Sequence, residues 1–243
     1  MTTAVFLPGI LLPATIRYAP LLAALGADFD AATKELEIYA ADRPPLGYTV
    51  QTEVDGLQRF AEERGLDRFH LYGHSAGGAV ALAYIALHPQ RVASLALDEP
   101  ATDFSDADLA LIGDDGRHLD AIDPAVFMRS LVRPEVELPE LPAPPTPEVA
   151  LEMAKRPVGI ATFRHSLRQG PGNAELRAYA SPVYFSYGSL SNARWEAMAE
   201  RLASVFADYE AERYEGLHHL NTSHTAEPER VAEALLRLWA RAG

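Results

Sequence analysis

The run Gly73-His74-Ser75-Ala76-Gly77 places a serine between two glycines, after a short apolar stretch and before an alanine-rich one. That spacing, G-x-S-x-G, suits a nucleophile held on a tight strand-to-helix corner. Such a corner needs backbone angles that L-residues avoid, and small residues two before and two after the serine let the chain turn without clashes. A hydroxyl so placed projects beyond the carboxyl end of the strand. The amide N–H groups that open the following helix then face a carbonyl under attack. They and the helix dipole stabilise the negative charge that develops there. The chemistry these residue types suit is attack on a carbonyl carbon by a serine that a neighbouring base activates.

The elements that must position this corner are visible as short apolar runs alternating with longer segments of helical period. That alternation predicts an α/β architecture with a mostly parallel sheet. Strands are expected at Ala4–Leu7, Glu35–Ala40, Arg68–Tyr72, Val92–Leu97, Val183–Tyr187 and Tyr209–Tyr214. Helices are expected at about Ile16–Leu25, Thr52–Arg64 (with Leu57 and Phe60 inward), Ala79–His88, Asn192–Phe206 and Pro228–Arg241. Gly78 is expected to let the helix after the serine approach the sheet.

Between Pro100 and Ala180 the strand pattern stops. Helical candidates at Pro124–Leu131, Pro147–Lys155 and Gly159–Leu167 surround a proline-rich stretch, Pro134–Pro147. The insertion is too long for a plain connection and reads as a lid. This divides the chain into a core of residues 1–99 and 181–243 and a helical lid of residues 100–180. Most of its apolar residues, among them Phe104, Phe127, Met128, Met153 and Phe163, are expected to pack the lid onto the core, and the rest to face a substrate pocket.

The elbow, the order of elements, the inserted lid and a late histidine together resemble the α/β-hydrolase superfamily over essentially the whole chain. The resemblance implies an α/β-hydrolase fold with a mostly parallel sheet of about six strands. The two strands that commonly precede the equivalent of Ala4–Leu7 in the family have no counterpart here. It also implies an oxyanion hole built from the N–H groups of Ile10 and Ala76. The family's usual His-Gly is replaced by Pro8-Gly9 at this point.

The family carries its base in the loop before the final helix, a few residues after a glycine. Counting from Gly216 points to His219, with His218 and His224 as alternatives. His70, His88, His118 and His165 lack that position, and His74 lies inside the elbow. The common position of the acid follows Val183–Tyr187, but Gly188-Ser189-Leu190-Ser191-Asn192 has no carboxylate, and Ser191 stands where Asp would be expected. The ending Leu97-Asp98-Glu99-Pro100 resembles hydrolases and haloalkane dehalogenases whose acid follows the preceding strand. That match points to Glu99 ahead of Asp98, as the group that holds the imidazole tautomer and stabilises the imidazolium. Dehalogenases and epoxide hydrolases of the fold use Asp as nucleophile, so Ser75 argues against both reactions.

Composition excludes further classes. Of 243 residues, 48% are hydrophobic and 23% charged, as in an ordinary globular protein. A net charge of −13 repels phosphate backbones and anionic lipid, so neither nucleic acid nor a membrane surface is an expected partner. The absence of cysteine removes disulfides, thiolate nucleophiles and cysteine metal sites. His218, His219 and His224 have no carboxylate at metal-binding spacing, and no phosphate-binding glycine loop is present, so neither metal nor cofactor is expected. The apolar N-terminal run lacks a basic start and a membrane-length span, which predicts a cytoplasmic protein. The expected activity is hydrolysis of a small or medium carboxylic ester, thioester or lactone through an acyl-enzyme. The alternatives are C–C bond hydrolysis or lyase chemistry with the same side chains, and a receptor-like ligand binder with low turnover.

Overall fold

A computed structural model describes residues 3–27, 29–112, 121–138, 140, 143–168 and 170–243. His118, and residues 139, 141 and 142 of the proline-rich stretch, lie outside the described residues. Six strands form one parallel sheet: β1 (Ala4–Leu7), β2 (Ala31–Thr33), β3 (Phe69–His74), β4 (Val92–Asp98), β5 (Val183–Gly188) and β6 (Tyr209–Tyr214). Their order across the sheet is β2-β1-β3-β4-β5-β6. The order reverses between β1 and β3. In open α/β sheets the crevice beyond the strand ends at such a point is where ligands bind.

Alternation along the strands sends their side chains to two cores. Val5, Leu7, Leu71, Leu95, Leu97, Val183 and Phe185 join the larger one, which also takes in Leu57 and the buried apolar residues of the 101–180 segment. Phe6, Tyr72, Ala96, Tyr184 and Tyr214 face the other, closed by the helices Ala19–Leu25 and Pro228–Ala242. Phe104, Phe127, Met128 and Phe163 are all buried in the larger core, while Met153 is half-buried. Main-chain bonds tie the segment down as well. Arg133 N–H donates to Leu190 O at 3.0 Å, and Val132 and Ser191 form an antiparallel bridge.

Three expected elements differ. The second strand is Ala31–Thr33, and Glu35–Ala40 instead contains a 3₁₀ turn, Glu37–Tyr39. Leu36, Ile38 and Tyr39 are buried there. The N–H groups of Glu37 and Ile38 donate to the Glu53 carboxylate at 2.7 and 2.9 Å, so they are satisfied without a strand ladder. The expected helix Ile16–Leu25 is two pieces, Ala14–Arg17 and Ala19–Leu25. Pro20 has no N–H to give and would clash within a continuous helix, so the helix restarts with proline in its first turn. The helix after Asn192 covers only Arg194–Ala203. Short helices at Asp106–Leu111, Asn173–Leu176 and Ser223–Ala226 carry too few residues for a periodic signal. No helix among the described residues is long and apolar enough to cross a membrane.

Candidate active site

Ser75 sits between β3 and the helix Ala76–Leu87 with φ 52° and ψ −118°, the left-handed side of backbone space. The corner is held by main-chain bonds to the end of β4. Ser75 N–H donates to Asp98 O at 3.0 Å, and Ala101 N–H donates to Ser75 O at 2.8 Å. Side chains at the flanking glycines would collide with backbone: a Cβ on Gly73 would lie 2.5 Å from Gly77 O, and one on Gly77 2.3 Å from Leu7 O. The close approach of helix to sheet falls at both glycines: Gly77 lies against β1, and Gly78 against Pro100 and β3, where a Cβ would lie 3.1 Å from Gly73 O.

Two further groups meet the serine. His219 Nε2 lies 2.9 Å from Ser75 Oγ, and His219 Nδ1 lies 2.7 Å from Glu99 Oε2. The other Glu99 oxygen accepts the Gly188 N–H at 2.7 Å. Glu99 follows β4 with φ 49°, which turns it away from the strand's pleat. Gly188 ends β5, where the usual acid position begins, and it contributes a backbone donor instead of a carboxylate.

Burial sets the electrostatics. Ser75, His219 and Glu99 are 3, 2 and 0% exposed. Loss of water is the main cause that lowers the His219 pKa to about 3. The Asp98 charge opposes this, and the Arg17 and Arg194 charges reinforce it. Burial, and then the adjacent Asp98 charge, raise the Glu99 carboxyl well above its ordinary value, while Gly188 N–H and Arg194 pull it back. The ring is neutral at pH 7, and the tautomer protonated on Nδ1 would aim that proton at Glu99 and the Nε2 lone pair at the serine hydroxyl. That is the protonation a general base requires.

Asp98 goes elsewhere. It is the last residue of β4 and pairs in register with His74 on β3 and Ser186 on β5, so the pleat sends its side chain to the opposite face from Leu97. There Asp98 Oδ2 lies 2.6 Å from His224 Nδ1 and accepts from Tyr72 Oη at 3.2 Å and Ser223 Oγ at 3.1 Å. His224 is thus the partner of Asp98, not of Ser75. His218 is half-buried, and its Nδ1 accepts the N–H groups of Leu220 and Asn221. His74, Asp98 and His224 form a buried cluster of potential metal ligands. Within it Asp98 Oδ2 bonds His224 Nδ1, and the Arg17 charge lies close enough to lower the His224 pKa.

The loop after β1 is pinned carbonyl by carbonyl. Tyr18 Oη donates to Leu7 O at 2.5 Å, Gly77 N–H to Pro8 O at 3.0 Å, and Tyr39 Oη to Ile10 O at 3.0 Å. The N–H groups of Ile10 and Ala76 donate to no other group among the described residues. Sequence reasoning missed Tyr39, which reaches this loop only because the 37–39 turn replaces a strand. It also missed Trp195, whose indole stacks on the His219 ring with centroids 4.3 Å apart and planes 8° apart. Neither residue lies in a motif, so no local pattern could have revealed them.

A parallel sheet whose β3 ends in a strained serine corner, with an acid and a histidine arriving from later loops, defines the α/β-hydrolase fold. A family model for that fold matches residues 42–132. With the structural likenesses that follow, it supports the α/β-hydrolase fold for this chain. NosK from Streptomyces actuosus superposes with a TM-score of 0.71 at 22% identity, over 99% of this chain and 98% of that one. The carboxylesterase CesB from Bacillus subtilis gives 0.68 at 17% identity, over 98% and 83%. Among curated proteins, the proline iminopeptidase of Lactobacillus delbrueckii subsp. bulgaricus is 44% identical over 57 residues, 23% of this chain. That match spans only 19% of the relative's length.

Proposed function

We propose that the protein is a serine hydrolase that cleaves a small or medium carboxylic ester, thioester or lactone through an acyl-enzyme on Ser75. One observation carries this reading: the unbroken hydrogen-bond chain Ser75 Oγ, His219, Glu99 at 2.9 and 2.7 Å on a corner with φ 52°. His219 Nε2 accepts the hydroxyl proton as Ser75 Oγ bonds to the substrate carbonyl carbon. The carbonyl oxygen becomes an oxyanion facing the N–H groups of Ala76 and Ile10. The imidazolium formed is stabilised by Glu99. Collapse of this intermediate expels the leaving alcohol or thiol, which takes the proton from His219. Water activated by the same ring then releases the acid and restores the serine. Likeness to carboxylesterase structures supports an ester over other acyl substrates.

Because Ser75 is almost fully buried, the reading assigns residues 100–180 the part of a lid that moves to admit substrate. The apolar side chains this segment contributes to the core favour an apolar acyl or alcohol group. The test is a fluorophosphonate probe and a panel of p-nitrophenyl esters of increasing acyl length. The reading expects labelling that Ser75→Ala abolishes and turnover that falls with it. A protein that binds covalently at Ser75 yet turns over none of the esters, thioesters or lactones offered would overturn the hydrolase reading in favour of a ligand binder.

A further inference from the structure

We propose that Trp195 is a positioning residue for the base. It holds the plane of the His219 ring so that both ring nitrogens stay aligned with their partners. This rests on the reading of His219 as general base.

The geometry behind it is simple. Hydrogen bonds from Nδ1 to Glu99 and from Nε2 to Ser75 lie at opposite ends of the imidazole. Two such bonds define a line and leave the ring free to rock about it. Rocking swings both in-plane nitrogen directions off their partners, and hydrogen bonds weaken steeply with misalignment. The tilted His74 ring, 4.9 Å away at 34°, restricts this rocking in part, and the parallel Trp195 face 4.3 Å away sets the plane. It also presents a π cloud to the ring as it gains positive charge, an attraction the neutral ring lacks.

Trp195 can serve this way only if it is itself fixed, and it is. The residue is fully buried, and its indole N–H donates to Pro100 O at 2.9 Å. Pro100 directly follows Glu99, while Asp98 O and Ala101 N–H hold the Ser75 backbone. The acid, the nucleophile and the stacking ring are therefore all referenced to the four residues 98–101. The Arg194 guanidinium adds a second brace. It lies over the Phe104 ring at 3.9 Å, pairs with Asp108 at 2.8 Å and sits 5.3 Å from the Trp195 ring centre. Phe104 and Asp108 belong to the 100–180 segment, so docking of that segment bears on the ring that steadies the base.

The experiment compares Trp195→Phe, which keeps a flat face, with Trp195→Leu and Trp195→Met, which do not. Three readouts are taken on the full-length protein: kcat and KM on a p-nitrophenyl ester, the rate of fluorophosphonate labelling, and the downfield NMR signal of the His219 Nδ1 proton, identified by its loss in His219→Ala. Trp195→Leu and Trp195→Met are expected to lower kcat and labelling rate about 30- to 100-fold, the scale of a small misplacement of a catalytic group. KM should change little, and the proton signal should broaden or move upfield. Trp195→Phe should recover most of the labelling rate and the signal. Comparable losses in all three variants would show that packing volume or the Pro100 bond matters and the flat face does not, overturning the proposal. So would leucine and methionine variants that keep the signal and the labelling rate. Should leucine fail to fold, methionine alone still decides. The NMR arm needs no turnover, so it stands even if the ester reading fails.

Discussion

Asp98 and Glu99, adjacent in sequence, serve different histidines: Asp98 Oδ2 lies 2.6 Å from His224 Nδ1, and Glu99 Oε2 lies 2.7 Å from His219 Nδ1. Only the second pair touches the serine. Glu99→Gln should therefore lower kcat/KM by roughly 10²- to 10⁴-fold, through loss of the tautomer and of the charge facing the imidazolium, with little change in stability. Asp98→Asn removes a buried charge from His224 and from the vicinity of Arg17. It should cost about 3 kcal/mol of stability and less than tenfold in turnover. Steady-state kinetics and urea unfolding of the two variants separate these outcomes; equal losses of kcat/KM would contradict the division of labour.

The loop that carries Ile10 depends on Tyr39. Its hydroxyl bonds Ile10 O, the Arg156 guanidinium lies 3.8 Å over its ring, and a Cβ on Gly159 would come within 2.2 Å of its hydroxyl. Tyr39→Phe loses one buried hydrogen bond, about 1 kcal/mol, and leaves the Ile10 carbonyl unpaired. A three- to tenfold fall in kcat, with KM nearly unchanged, is the expected result. A variant with wild-type kcat would show that this bond has no part in setting the loop.

On the proposed mechanism, protonation of His219 should not set the acidic limb of activity. Protonating His219 removes the base, and burial places that event at about pH 3, far below the ordinary histidine range. The acidic limb of the kcat/KM profile should therefore come from neutralisation of Glu99, whose carboxyl is raised well above its ordinary value by burial, or from loss of fold, and not from protonation of His219 near pH 6.5. A pH–rate profile over pH 4–8, with circular dichroism at each point, checks this. A reversible acidic limb centred near 6.5 in a folded protein, retained in Glu99→Gln, would refute it.

Stability against acid has a separate contributor. Burial, aided by the Arg68 charge, lowers His70 to about 4, and its Nδ1 lies 2.8 Å from Ser94 Oγ. The unfolded chain protonates this histidine near its ordinary 6.5, whereas the folded protein resists down to about 4. The stabilisation is thus full above pH 6.5 and is lost as pH falls toward 4. His70→Gln should shrink the drop in Tm between pH 7 and pH 4.5 by a few degrees. An unchanged drop would rule His70 out as a cause.

What the sequence determined by itself was local. The G-x-S-x-G corner, the first and last strands and the amphipathic helices are written in residue spacing, because periodicity and steric need act over a few residues. The corner at Ser75 was legible for that reason, and His219 and Glu99 became its candidate partners once the family resemblance supplied an order of parts. Tertiary structure decided the rest. Whether Asp98 or Glu99 faces His219 depends on pleat parity, and β4 is buried on both faces, so no polar alternation betrays it. The 37–39 turn forms because a carboxylate 16 residues further on accepts its backbone N–H. Trp195 reaches His219 across 24 residues of chain, and Glu99 reaches it across 120. Contacts between distant parts of a chain leave no spacing to read, so only the folded protein could show which rings and carboxylates meet.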